Sequence, residues 1–181
     1  MDELTSSITY LLSLGTLFFD LLIIFAVILI ITGKSLPLSL NKIIKKYWLY
    51  LLFLISFGST VASLYYSEFA NFEPCSLCWY QRAFMFPIVF ILGLAIYKKD
   101  AFIGPYIKVL CLVGSLIAIY HFALQMGVTS IAPCSATIDG ASECSKIPFI
   151  NFGYITIPIM SLTSFLLMLT IIKFSETKNE E

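Results

Sequence analysis

The stretch "EPCSLCWYQRAFMFPIVFILGLAIYKK", residues 73–99, holds in one line the features that decide the fold. It opens on an acid, a proline and two cysteines spaced Cys-x-x-Cys. It then runs apolar over residues 79–97 and stops at Lys98 and Lys99. Runs of about 18 or more apolar residues read as helices crossing a bilayer. Four more follow outward from this one, at residues 8–32, 49–66, 106–126 and 154–172. With 59% of its 181 residues hydrophobic and 12% charged, the chain carries more apolar surface than a soluble fold of this length buries. The expected class is an all-α integral membrane protein with five spans.

The net charge is zero and no basic patch is interleaved with aromatics, which argues against a nucleic-acid partner. The first run is not a cleavable signal peptide. It follows the acidic Met1-Asp2-Glu3, lacks a basic leader, is too long, and has no small-x-small site before Lys34. No internal repeat is visible, and the only low-complexity piece is the tail "SETKNEE".

Lysines orient the spans, because short cytoplasmic loops collect Lys and Arg. Lys34, Lys42, Lys45, Lys46, Lys98, Lys99, Lys108, Lys173 and Lys178 fall on one side and Lys146 on the other. The N-terminus is therefore expected outside and the C-terminus inside. "EPCSLC" and the loop over 127–153, with Cys134 and Cys144, then face the extracytoplasmic side, where disulfides persist. Cys111, near the cytoplasmic end of the fourth span, reads as a small buried apolar residue.

Cys75 and Cys78 stand where the third span begins. Unpaired N–H groups at a helix start stabilise a thiolate, and Pro74 suits the entry to that first turn. Arg82, the only arginine, lies four residues past Cys78 on the same helical face and adds a permanent cation. Cys78 is the expected reactive thiol and Cys75 its resolving partner. Two blander readings compete: a zinc site closed by Cys134 and Cys144, or a pair of purely structural disulfides. Neither uses Arg82, whose charge is costly inside a membrane and marks a functional site by default.

His121, the only histidine, and Gln125 one turn above it fall at a depth comparable to Arg82 on another span. A lone histidine is also commonly a packing residue. A thiol pair, a cation and an imidazole near the outer leaflet suit a lipid-soluble oxidant, a quinone. Arg82 would stabilise developing negative charge and His121 would assist proton delivery. Electrons would arrive from Cys134/Cys144 by thiol–disulfide exchange, across the Ser-, Ala- and Gly-rich loop "SATIDGASE".

"CSLCWYQR", "YHF" around His121, "APCS…ECS" and "FGYITIPIMSLTSF" together resemble the DsbB family of disulfide bond formation proteins, most closely its BdbC-type branch. The likeness covers residues 49–174. It implies a four-helix bundle of spans two to five, a bacterial cytoplasmic membrane location, and menaquinone or ubiquinone as acceptor without any metal. It also implies a DsbA-like thioredoxin-fold partner. By the same resemblance Cys78 contacts the quinone, Cys134 engages the partner and Cys144 pairs transiently with Cys75. Arg82 and His121 match residues at the quinone site.

The chain departs from the family in its added first span, which carries Asp20 as either a tolerated acid or a proton relay. Residues 1–48 are thus an extra span with a basic connection, 49–174 the bundle and 175–181 a polar tail. Gly58, Ser59, Ala62 and Ser63 are expected to let helices approach closely, and Pro87 and Pro158 to kink theirs. The rival enzyme, similar to vitamin K epoxide reductase, has its loop cysteines before the Cys-x-x-Cys. A non-enzymatic membrane protein held by disulfides or zinc is the other alternative.

Overall fold

The computed structural model describes residues 3–33, 38–100, 102–128 and 143–176. Five helices account for most of them: α1 (Glu3–Ile31), α2 (Leu38–Glu68), α3 (Ser76–Lys98), α4 (Gly104–Gln125) and α5 (Ile157–Glu176). All five are long and apolar enough to cross a membrane. Helices are the natural outcome, because hydrocarbon offers no partner to a backbone N–H or C=O and a helix satisfies both within itself. At ~1.5 Å per residue even α5 reaches about 30 Å.

Helices α2 to α5 close a ring, α2 on α3, α3 on α4, α4 on α5 and α5 on α2, while α1 leans on α5 from outside. Leu52, Ile88, Leu92, Ile107, Phe165 and Met168 form the centre of the ring, and Cys111 is buried among them as a free thiol. The inward face of α3 is graded. Leu77, Gln81, Arg82, Met85, Ile88, Leu92 and Ala95 lie along it, with the polar pair near the start and apolar residues below. On α4 the buried His121 and Gln125 sit at the opposite end of the chain direction, so antiparallel packing brings them level with Gln81 and Arg82.

Four expectations change. Helix α2 begins at Leu38, well before residue 49, so Lys42, Lys45 and Lys46 lie on its first turns. The end of an apolar run marks where the bilayer ends, and a helix continues past it. Helix α5 begins at Ile157, after a turn closed by an Asn151–Ile155 bridge with Phe152 and Gly153 at φ 52 and 81°. Pro158 is therefore in the first turn of α5, where a missing N–H breaks no bond, and it starts the helix without kinking it.

The small residues of α2 bring helices together only in part: Ser59 Oγ donates to Ser164 Oγ of α5 at 2.8 Å. Gly58, Ser59, Ala62 and Ser63 line a cavity of about 580 Å³ between α1, α2, α3 and α5, and a methyl group on Gly58 would meet nothing within 4 Å. The close approach lies elsewhere, at Gly114 of α4, where any Cβ would overlap the Phe165 ring of α5.

Helix α1 is polar on its protein side and apolar outside. Its buried residues include Thr5, Thr9, Ser13 and Thr16, while Leu11, Leu14, Phe18 and Leu21 are exposed. Thr5 and Thr9 meet the hydroxyls of Tyr65 and Tyr66, and the Asn151 amide donates to Ser13 Oγ at 2.8 Å. Below them Asp20 accepts from Thr163 at 2.5 Å and Tyr154 at 2.8 Å. Facing lipid, apolar side chains cost nothing, so hydrogen bonds and fit hold such a helix in place.

Candidate redox site

Cys75 caps α3. Its backbone is extended (φ −68, ψ 169°), and its Sγ accepts the Cys78 amide N–H at 3.4 Å. The motif supplies this geometry: with two residues between them, the second cysteine sits in the first turn above its partner. The two sulfurs are 3.0 Å apart, both as free thiols. Cys75 is 6% exposed and Cys78 half-buried.

Helix α4 presents His121 to this pair. Nε2 stands 3.6 Å from Cys75 Sγ, and the Gln81 amide nitrogen is 3.0 Å from Nδ1. With the amide donating to Nδ1, the ring proton sits on Nε2 and faces the sulfur. The Cys78 thiol beside it holds the Cys75 thiol well below the ordinary cysteine range; burial opposes that shift and His121 adds to it. From the sequence, Cys78 is the expected thiolate; the groups that stabilise a thiolate here, the Cys78 thiol and then the His121 ring, stand against Cys75.

Arg82 is 8% exposed and has no carboxylate partner among the described residues. Its Nε donates to Ser63 Oγ at 2.8 Å and a terminal nitrogen to the Ser63 carbonyl at 2.7 Å. The guanidinium also lies 5.2 Å over the Trp79 ring. These contacts fix its direction and leave its charge uncancelled. Gln125 donates to the Lys146 carbonyl at 3.3 Å, while its Oε1 is buried without a partner.

Cys75, Cys78, Arg82, His121 and Gln125 all line one cavity of about 410 Å³. Cys144, disulfide-bonded, packs in a buried cluster with Cys75, Leu77 and Leu124. Cys134 lies outside the described residues. Two residues that shape the site had no role from sequence. Within "CSLCWYQR" nothing in the sequence marks Gln81 as a partner of His121, and the sequence offers Ser63 only as a packing residue; the crossing of α2 and α3 puts it under Arg82.

The ligand atoms of Cys75, Cys78 and His121 fall within 4.8 Å of one another, so they make a three-atom set of the kind a metal takes. The four-thiolate zinc site is not formed, because Cys144 is engaged in a disulfide and is no thiolate ligand.

A family model described as disulfide bond formation protein DsbB matches residues 45–174. The chain belongs to the DsbB family. Among similar proteins, the SPbeta prophage-derived disulfide bond formation protein B of Bacillus subtilis is 41% identical over 128 residues, 71% of this chain and 84% of that protein. Disulfide bond formation protein C of the same organism is 36% identical over 132 residues, covering 71% and 90%. A probable disulfide formation protein of Chlamydia trachomatis is 44% identical over 124 residues, covering 68% and 88%. No solved structure matches. DsbB membership makes the chain a membrane thiol–disulfide oxidoreductase and removes the vitamin K epoxide reductase and non-enzymatic alternatives. The matched segment starts inside α2, so α1 stands outside it.

Proposed function

We propose that the protein is the thiol oxidase that reoxidises an extracytoplasmic, DsbA-like thioredoxin-fold protein and passes the electrons to a membrane quinone. One observation carries this reading: a dithiol, an imidazole and a buried guanidinium with no carboxylate partner among the described residues converge on a single cavity. A quinone fits that donor set. Arg82 offers a charged donor to a ring oxygen, and the unpartnered Gln125 Oε1 is free to accept from a reduced one. The volume of about 410 Å³ is in the usual range for small-molecule pockets, about 300–1,000 Å³. When bound, the quinone supplies a two-electron, two-proton acceptor.

The steps within the chain are thiol–disulfide exchanges. A thiolate of the reduced partner attacks Cys134 of the Cys134/Cys144 disulfide and releases Cys144. Cys144, packed beside Cys75, attacks Cys75 of an oxidised Cys75/Cys78 pair and releases Cys78. The partner's second thiolate then frees Cys134 and leaves the partner oxidised. Cys134 attacks Cys144 and restores the loop disulfide, so both electrons rest on the Cys75/Cys78 dithiol. His121, oriented by Gln81, turns its Nε2–H to the Cys75 sulfur and stabilises the thiolate by donating to it. Cys78 and Arg82 line the cavity that would hold the acceptor, and Cys78 would be the thiol facing a bound quinone.

Lysine distribution supports cysteine loops outside and the termini on opposite faces of a bacterial cytoplasmic membrane. The test is stopped-flow oxidation of a reduced thioredoxin-fold partner by the purified protein with added quinone. Wild type should turn over, Cys78→Ala should be inactive, and Arg82→Ala should be impaired chiefly in its dependence on quinone. Full quinone-dependent turnover by Cys78→Ala would remove the site assignment.

A further inference from the structure

We propose that α1 is the outer wall of a chamber for the apolar tail of the acceptor, so that this chain selects its quinone by tail as well as by ring. The inference rests on the quinone reading of the redox site. It starts from the cavity of about 580 Å³ beside that site. Ser63, Tyr66, Cys78, Arg82 and Ile157 line both cavities, so the larger one opens directly off the redox centre. From there it runs down the bundle. Ile157 and Ile171 of α5 both border it, which is 14 residues or about 21 Å along the helix axis. That is the shape of a chain, and its head lies where the polar groups are.

Three walls come from α2, α3 and α5, and the fourth from Leu12, Gly15, Thr16 and Phe19 of α1. Without α1 the groove between α2 and α5 would lose this side. The hydrogen bonds of α1 hold the wall in place: Thr5 and Thr9 at the tyrosines of α2, Ser13 at Asn151, and Asp20 at Tyr154 and Thr163. Room is kept on both sides by glycine. A Cβ on Gly15 or on Gly58 would meet nothing within 4 Å, so neither glycine is required by a close helix contact. An unfilled apolar cavity destabilises a fold in proportion to its size. Space of this size, joined to the acceptor site, points to an occupant.

Binding gives the clearest test. The purified full chain in detergent is titrated with a tailless quinone and with the same ring bearing a polyprenyl tail. Quenching of tryptophan fluorescence reports occupancy, since Trp79 lies against Arg82. Gly15→Leu and Gly58→Leu should each weaken binding of the tailed quinone by about tenfold or more, which is ~1.4 kcal/mol. Affinity for the tailless ring should fall far less than affinity for the tailed quinone in both variants. Equal affinity of wild type and both variants for the tailed quinone overturns the chamber and leaves the ring site standing; so does equal loss for both quinones. Failure of wild type to bind either quinone removes the functional reading and the chamber with it. A tail-end photolabel on the wild-type protein gives a second readout that needs no variant. Label on residues 11–19 supports the proposal. Label confined to α2–α5, or a chamber filled by lipid acyl chains that the tailed quinone does not displace, overturns it.

Discussion

Arg82 carries a costly charge, since a cation in the membrane is expensive and no carboxylate among the described residues offsets it. Two hydrogen bonds to Ser63 and a stack over Trp79 reduce that cost without neutralising the charge. A charge-assisted hydrogen bond contributes about 1.5–3 kcal/mol. Arg82→Gln should therefore raise the KM for quinone by roughly ten- to a hundredfold, with exchange between the two cysteine pairs intact in single-turnover thiol trapping. Cys75 supplies a second prediction. Its thiol is held below the ordinary range, first by Cys78 and then by His121, so its thiolate survives acidification that would protonate a free cysteine near pH 8.5. Thiolate absorbance of the reduced protein should persist below about pH 7, vanish in Cys75→Ser, and move to higher pH in His121→Ala. A His121→Ala protein whose titration matches wild type would show that the imidazole does nothing for the sulfur.

Among the helices, α4 and α5 are in closest contact and α1 is the most polar on its inner side. A methyl group at Gly114 would overlap the Phe165 ring. Gly114→Ala should destabilise the bundle by about 1–3 kcal/mol, the usual cost of overpacking, and Phe165→Leu should recover part of it. Apparent Tm in detergent measures both. Asp20 anchors α1 to α5 through two hydroxyl donors. Burial, and then the Asp20 carboxylate, push the Tyr154 hydroxyl up to about 12. A raised pKa leaves the donor protonated at every lower pH, so this contact should be insensitive to pH across about 6–9. Asp20→Ala should lower Tm more than Tyr154→Phe does, because it removes the acceptor for both donors. The stripe was present in the sequence as Thr5, Thr9, Ser13, Thr16 and Asp20 at helical spacing. The lipid-facing residues dominate the hydropathy of this helix, so the stripe is faint in the sequence.

For the whole molecule, orientation is the property to measure. A phosphatase reporter fused after Gly127 should be active outside the cell, and one fused after Asp100 should be silent, if the lysine-rich ends face the cytoplasm. The reverse pattern would put the cysteines in a reducing compartment and end the proposed function. The number of spans, the all-helical class and the pairing of Cys75 with Cys78 were legible in the chain alone. Each rests on a local property: an apolar run long enough for the bilayer, or a fixed spacing of sulfurs along one helix. Helix ends were less so, since α2 outruns its apolar segment and α5 waits for the turn at Phe152 and Gly153. Packing decided the rest. Ser63 beneath Arg82, Gln81 behind His121, the thiolate on Cys75, the contact at Gly114 and the room between Gly15 and Gly58 all depend on how separate helices cross. Residues distant in sequence acquire these relations only when the bundle closes, because crossing and depth are set by the sum of side-chain contacts and no single segment encodes them.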